Sequence, residues 1–343
     1  MPTLRDTEIL DLVTATISEM GAPKWEQIAQ DLQDYEVMSK WLKEDKITEE
    51  GGVGITRNLM LKYSNVAKHT GLFEEDTVDV TDVMAQMRVD WKRITAYYAF
   101  ERREVLQNKG KYLVNNVLEP RRANMMIALA EELEDKAWTA PDATSETDPW
   151  GLLYWVVKNA TAGFNGGLPT GFTTVAGINI TTYPNFKNYS GTYTVISEDD
   201  FLAKLSTAHR KTKWVSPVTV EQFRSARGER RICYANDSLI GKLEKLARSQ
   251  NDNLGSEIAV FDGVTTFRRH PIRYIPKLDE DTTDPFYMID HSTFSPVVLN
   301  GDYLRESDVR ISGKSHNVME AYIDMSYNYL CVNRRKNVVF YKV

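Results

Sequence analysis

Two long runs between residues 53 and 91 alternate apolar with polar side chains, and this period of two constrains the fold more than any other feature. The apolar positions of the two runs are Val53, Ile55, Leu59, Leu61, Tyr63, Val83, Ala85, Met87, Val89 and Trp91. Such alternation is typical of β-strands with one buried face. The segment therefore predicts a long β-hairpin, with the polar and acidic stretch 70–82 as its tip.

Each predicted strand has about a dozen residues and would extend about 40 Å. An isolated two-stranded hairpin is marginally stable in water, so its apolar face must rest on another surface. Either the body of this chain or a neighbouring subunit supplies that surface, and the sequence offers no adjacent third strand to cover it. The hairpin is therefore a first indication that the chain assembles with other copies of itself.

Residues 101–138 change to a helical period, with apolar side chains recurring every three or four positions. As a single helix this segment would span roughly 55 Å. Pro120 either kinks that helix or lies in the first turn of a second one. Residues 4–45 predict two or three further short amphipathic helices.

The rest of the chain mixes short helices and strands. Ser197 and Asp200 form a capping-box pattern at the start of one predicted helix, and another begins near Asp237. Strands are predicted around Val260, at 267–274 and 286–289, along the alternating stretch 319–331, and at 338–341. Because no βα unit repeats, the predicted class is α+β.

Composition places the chain among ordinary folded proteins, since 42% of its 343 residues are hydrophobic and 26% are charged. No segment has the pattern of a signal peptide or a membrane span, and Cys233 and Cys331 are too few for a disulfide framework. We therefore expect a protein that is made and kept in a reducing cytosol.

The net charge of −6 argues against a chain whose purpose is to grip nucleic acid, because that task requires cations on one face. Basic clusters occur at 101–103, 227–231, 268–269 and 334–336. We interpret them as solvated faces or as ion pairs between subunits.

No catalytic, cofactor-binding or metal-binding residues are predicted. The five histidines lack metal-ligand spacing, and Gly313-Lys314-Ser315 lacks the earlier glycine of a phosphate-binding loop. The acidic run 279–284 lacks the central glycine and final glutamate of a calcium loop, which favours a solvated loop. We therefore do not expect an enzyme.

The order of these elements resembles the Hong Kong 97-type fold of the major capsid proteins of tailed bacteriophages. Three stretches carry the resemblance. They are 91–138, with Phe100-Glu101-Arg102-Arg103-Glu104 and Asn108-Lys109-Gly110; 267–298, with Asp284-Pro285-Phe286-Tyr287-Met288-Ile289-Asp290; and Tyr329-Leu330-Cys331-Val332-Asn333-Arg334-Arg335.

The resemblance implies a domain order for nearly the whole chain. It comprises an N-terminal arm (1–50), an extended hairpin or E-loop (51–100), a peripheral domain (101–215) with its spine helix (101–138), an α+β axial domain (216–315), and C-terminal strands (316–343).

The function implied is that of a structural subunit that self-assembles into the icosahedral capsid of a virion and encloses double-stranded DNA. Copies would form pentamers and hexamers in the host bacterial cytoplasm, with a portal and, since only about fifty residues precede the hairpin, a separate scaffolding protein as partners; the resemblance also allows a decoration protein. The candidate subunit-contact residues are Leu59, Leu61, Tyr63, Trp91, Arg230 and Arg231.

Two other interpretations remain open. The first keeps the fold but makes the chain the shell of an encapsulin-like nanocompartment, which neighbouring genes for an enzyme cargo would indicate. The second is a cytosolic enzyme whose site is assembled from scattered residues, and a small closed oligomer in solution would favour it.

Overall fold

The computed structural model describes residues 35–62, 69, 84–103, 111–213, 230–249, 258–261 and 264–343. The chain divides into two compact units. The first comprises Met1–Gly51, Trp91–Ala137 and Pro296–Asn328, and the second comprises Gly52–Asp90, Trp138–Ser295 and Tyr329–Val343, each as far as it is described.

The described strands, in chain order, are β1 (Ile47–Glu49), β2 (Gly54–Met60), β3 (Met84–Asp90), β4 (Lys92–Glu101), β5 (Tyr189–Tyr193), β6 (Arg231–Ala235), β7 (Ile258–Phe261), β8 (Val264–Phe267), β9 (His270–Tyr274), β10 (Phe286–Asp290), β11 (Phe294–Leu299), β12 (Arg305–Glu306), β13 (Arg310–Ile311), β14 (Val318–Cys331) and β15 (Val338–Lys342). The longer described helices are α1 (Lys111–Trp138), α2 (Ala203–Thr212) and α3 (Asp237–Ser249). Short helical turns occur at Val37–Trp41, Leu42–Glu44, Leu152–Trp155, Pro184–Phe186, Glu198–Leu202, Pro276–Glu280 and Arg334–Lys336.

The first unit combines α1 with a sheet built around β14. That strand pairs antiparallel with β4 along ten residues, and β1 pairs parallel with β11. Alternate side chains of the sheet are buried, as are helix side chains at intervals of three and four. The buried residues are Tyr98, Phe100, Met319, Ala321, Ile323 and Met325 on the sheet, and Met125, Met126, Leu129, Leu133 and Ala137 on the helix.

A polar cluster joins α1 to this sheet. Arg122 donates two hydrogen bonds to the Glu306 carboxylate, at 3.1 Å from Nε and 2.6 Å from Nη2, and the Tyr98 hydroxyl donates a third at 3.2 Å. Burial and the neighbouring Glu306 carboxylate both raise the pKa of Tyr98. The neighbouring Arg121 donates to the Ala99 carbonyl at 3.0 Å. The bidentate geometry fixes the helix against the strands β4 and β12.

The second unit contains a seven-stranded mixed sheet in the order β5-β15-β10-β6-β9-β8-β7. Its core includes side chains from the sheet and from α2 and α3, among them Phe201, Leu205, Leu239, Leu243, Phe286, Met288 and Phe340. Aromatic rings meet edge to face within it, as Phe201 does with Phe286 at 5.4 Å between centroids. The predicted α+β class is therefore correct.

The predicted start of the spine helix at Glu101 is one residue early, because Glu101 belongs to β4 and Arg102 and Arg103 are helical. Residues 104–110 lie outside the described residues, and the helix described after them runs from Lys111 to Trp138 without interruption at Pro120. Its 28 residues correspond to about 42 Å. One half of the predicted capping box is present, since the Ser197 hydroxyl accepts a hydrogen bond from the Asp200 amide at 3.2 Å, whereas the Asp200 carboxylate accepts from the amides of Thr194 and Val195. The helices predicted within residues 4–34 lie outside the described residues.

The hairpin is described in part. Its described strands β2 and β3 have seven residues each, and the predicted strand residues Tyr63 and Val83 lie outside the described residues. The resemblance places residues 92–100 in the same hairpin, but they belong to β4, which pairs with β14. The alternation continues across Trp91 into β4, so the sequence pattern alone does not show where one pairing partner replaces another.

Candidate subunit-contact surfaces

The hairpin β2–β3 presents two unlike faces. Ile55, Leu59, Met87 and Val89 share one face and are buried by this chain alone. The opposite face is exposed and carries Thr56, Asn58, Met60, Met84, Gln86 and Arg88. The apolar face is therefore covered by the body of this chain, which was one of the two possibilities, and does not need a neighbouring subunit.

Three contacts within the second unit hold the hairpin in place. The Arg88 amide donates to the Ala176 carbonyl at 3.1 Å, and the Asn185 side chain donates to the Leu61 carbonyl at 3.1 Å. The Lys62 ammonium lies 4.9 Å from the centre of the Tyr183 ring. The outer face of the described strands is exposed to solvent in this chain.

The predicted contact residues are distributed differently from our expectation. Leu59 and Leu61 are buried by their own chain, and Tyr63 lies outside the described residues. Trp91, the residue that links β3 to β4 in the chain, is half-buried. Its role in subunit contact stays a prediction. The large apolar residues that β2 and β3 expose are Met60 and Met84, a directly opposed cross-strand pair with 50% and 43% of their surfaces accessible.

The two predicted arginines also differ from each other. Arg231 is buried and donates to the Thr212 hydroxyl at 3.0 Å, so it is a structural residue of the second unit. Arg230 is half-buried, its amide bound to Asp290 at 3.1 Å, and its proposed contact role is untested by a single chain.

The interpretation of residues 334–336 as a solvated or intersubunit basic cluster is wrong for Arg334. Its guanidinium is fully buried and donates to four acceptors of its own chain. These are the carbonyls of Trp155 at 2.6 Å, Phe186 at 3.1 Å and Gly167 at 3.1 Å, and the Asn188 amide oxygen at 3.2 Å. Burial lowers the pKa of Arg334 to about 10, so the group stays charged near neutral pH. It joins the segment before β15 to the loops around residues 155–188.

A buried ion pair lies beside that cluster. The Lys336 ammonium is 3.2 Å from the Asp290 carboxylate, which also accepts hydrogen bonds from the amides of Arg230 and Ser292. The sequence pattern does not reveal these roles, because a basic triplet next to a strand has the same composition whether it is buried or exposed.

An exposed aromatic surface lies on the sheet of the first unit. Tyr97 exposes 66% of its surface and meets Tyr322 of the paired strand at 6.0 Å between ring centres. The Arg310 guanidinium lies over the Tyr322 ring at 4.6 Å. Tyrosine and arginine are enriched in protein interfaces, so this face is a second candidate contact surface.

Two histidines of the second unit should make the stability of the fold depend on pH. Burial, with a smaller effect of Arg230, lowers the pKa of His291 to about 3, and burial with Arg231 lowers that of His209 to about 4. Both groups would titrate near 6.5 when unfolded. Protons therefore bind the unfolded chain preferentially, and stability that is present above about pH 6.5 is lost as the pH falls through the interval toward 4 and 3.

We expect the unfolding free energy to fall by about 2 to 3 kcal/mol from His291 alone between pH 7 and pH 4.5. Urea unfolding across that range measures it. The His291→Gln variant should show a shallower dependence, whereas the exposed His316→Gln should follow the wild type. An unchanged slope in His291→Gln would contradict the assignment.

The described residues offer no group of three or more metal-ligating side chains. No helix in the same part of the chain is long and apolar enough to cross a membrane.

No family model matches the sequence, and no curated protein is similar to it at a significant level. Solved structures are similar in fold. The capsid asymmetric unit of cyanophage A-1(L) is 15% identical, with a TM-score of 0.59 over 91% of this chain and 94% of that one. The capsid of the native GTA particle is 10% identical, with a TM-score of 0.55 over 91% and 92%.

A structure from Mycobacterium phage Bobi is 10% identical, has a TM-score of 0.52, and covers 100% of this chain and 99% of that one. In these three comparisons the match extends over at least nine tenths of both chains. The chain therefore has the mixed α+β fold of these phage and particle capsid structures.

Proposed function

We propose that the protein is the major capsid subunit of a tailed bacteriophage, and that its role is structural. The observation that carries this proposal is the fold likeness to the cyanophage capsid structure along nearly the full length of both chains. Such a match leaves little of this chain for an added catalytic domain. The exposed Tyr97 face and the Met60–Met84 pair support assembly, because exposed aromatic and apolar side chains are typical of protein interfaces.

In this proposal the fold is of the Hong Kong 97 type. The first unit, with α1 as spine helix, corresponds to the peripheral domain, and the seven-stranded sheet corresponds to the axial domain. The hairpin β2–β3 is the E-loop, and residues 1–50 form the N-terminal arm. Copies form pentamers and hexamers of a shell that encloses double-stranded DNA, assembled in the bacterial cytoplasm with a scaffolding protein and a portal.

Assembly in solution tests this proposal. Sedimentation of the purified chain, with and without the products of neighbouring open reading frames, should give particles far larger than any small oligomer. DNA inside the particles would support a virion shell, whereas an enzyme cargo would favour a nanocompartment. A small closed oligomer under every condition would contradict both.

The outer face of the hairpin gives a second prediction. The double variant Met60→Lys/Met84→Glu places opposite charges on this opposed pair. It should keep the melting temperature of the subunit, because both side chains are half-exposed, and should reduce the yield of closed shells. Asn58→Lys/Gln86→Glu, on the neighbouring opposed pair of the same face, is the control for added charge alone. Normal shell yield in the methionine double variant would remove this face from the proposed contacts.

A further inference from the structure

The seven-stranded sheet of the second unit separates charge between its two ends. Its register places the first residues of β6 and β9 at one end, with the last residue of β10 beside them, and the last residues of β6 and β9 at the other. The five-residue strands β5, β6, β9, β10 and β15 set the ends about 17 Å apart. Cations collect around the first end and carboxylates around the second.

The basic end consists of Arg210, Lys211, Lys213, Arg268 and Arg269. The first three end α2, and contacts between His209 and His270 at 3.2 Å and between Arg231 and Thr212 at 3.0 Å hold that helix end against the starts of β9 and β6. Four of the five side chains are exposed, and Arg268 is half-buried. Asp290, the carboxylate that ends β10 here, is buried and paired with Lys336.

The turn that carries Arg268 and Arg269 is strained. Both residues have positive φ, 48° and 69°, in the two central positions of the β8–β9 hairpin. Asparagine and glycine favour such positions, whereas other residues adopt them at a cost. Backbone preference therefore does not explain two arginines in this turn, and their positive charge adds to the basic end.

The acidic end consists of Glu198, Asp199, Asp237, Asp279 and Glu280, and all five are exposed. Its loops are held together within the unit, since Asp279 accepts hydrogen bonds from the Tyr274 hydroxyl at 2.5 Å and from the Asp237 amide at 3.0 Å. Of the lysines near this end, Lys242 pairs with Asp284 at 3.2 Å, outside the five, and Lys277 pairs with Glu280 at 2.9 Å.

We propose that the basic end of one copy binds the acidic end of a second copy, so that the second units associate head to tail into rings. This inference rests on the proposed capsid function and names the surfaces that build its capsomers. Unlike surfaces on opposite ends of one subunit give a heterologous contact, which closes into a ring when the rotation between neighbours allows it. Complementary charge favours the correct register and disfavours contact between like ends.

Double-stranded DNA is the other polyanion that the basic end is able to attract. The same unit also exposes an acidic end. A second copy of the chain would engage both ends, whereas DNA would engage only the basic one, so the structure favours a second copy as the partner. The net charge of −6 is also consistent with a shell that does not retain DNA strongly.

Two charge-reversed variants test the pairing. In Lys211→Glu/Lys213→Glu/Arg269→Glu both ends become acidic, and in Asp199→Lys/Asp237→Lys/Glu280→Lys both become basic. Each variant alone should fold, as circular dichroism would show, and should lose shell yield by at least about tenfold under conditions in which the wild type assembles. These substituted side chains are exposed, so misfolding is not the expected cause.

Mixing the two variants gives the sharper result. Acidic and basic copies should then alternate, which is compatible with six-membered rings but not with five-membered ones. Electron microscopy of the mixture should show hexamers, sheets or tubes without closed shells. As a further control, Arg268→Asn/Arg269→Gly should raise the melting temperature, because it relieves the turn, and should still lower shell yield.

Several results would overturn the pairing. Normal assembly of either reversed variant would do so, and so would a mixture that stays unassembled although both variants are folded. Normal shells that retain less DNA in the first variant would assign the basic end to nucleic acid. Each of these leaves the capsid function standing, whereas a wild type that never assembles would contradict that function itself.

Discussion

Arg334→Met should destabilise the subunit by about 4 kcal/mol or more, which is a large part of the stability of an ordinary domain. The substitution removes the donor from four acceptors of the same chain, three of them in buried hydrogen bonds and the Gly167 carbonyl in a partly buried one. Methionine restores most of the volume, so the loss reports hydrogen bonding and not a cavity. Urea unfolding of the unassembled subunit measures the change, and poor recovery of soluble protein is a second expected sign.

Arg335→Met is the matched control. This neighbouring arginine is half-buried, donates to the Asn185 side chain at 2.6 Å, and lies over the Phe164 ring at 4.3 Å. Its loss should cost about 1 kcal/mol, since it leaves no comparable set of buried acceptors. Equal effects of the two substitutions would show that Arg334 does not have the structural role assigned to it.

Met87→Lys should also destabilise the isolated subunit strongly, by about 3 kcal/mol or more. Met87 is fully buried at the centre of β3, and a lysine there would place an ammonium in an apolar layer opposite Arg57. Thermal unfolding and limited proteolysis of the hairpin are the measurements.

Gln86→Lys introduces the same charge one residue away, on the exposed face, and should change the stability by no more than about 0.5 kcal/mol. The pair of variants distinguishes the two ways of covering the hairpin. If a neighbouring subunit covered the face of Met87, the lysine would impair assembly and leave the unassembled subunit as stable as the wild type.

Local periodicity predicted the elements of this chain more accurately than their pairing. The alternation of residues 319–331 and the helical spacing before Trp138 both correspond to single elements of the structure. The same alternation continues from β3 into β4, although the two strands pair with different partners. Pairing depends on contacts between residues far apart in the sequence, and a local pattern carries no information on them.

The candidate surfaces were harder to predict, because exposure is also a property of the folded chain. Leu59 has the pattern of a residue that a neighbour covers, yet its own chain buries it. Arg269 and Asp279 lie in separate segments, and only the order and direction of the strands place them at opposite ends of one sheet. Arg334 belongs to a triplet whose composition is compatible with solvent, with a partner or with the core.

Negative-stain electron microscopy of the purified protein, expressed with and without the neighbouring open reading frames, tests the central claim most directly. The capsid proposal predicts round closed shells, or five- and six-membered rings when a scaffold is missing, and shells that contain DNA when the complete set is present. Small globular particles under every condition would contradict it.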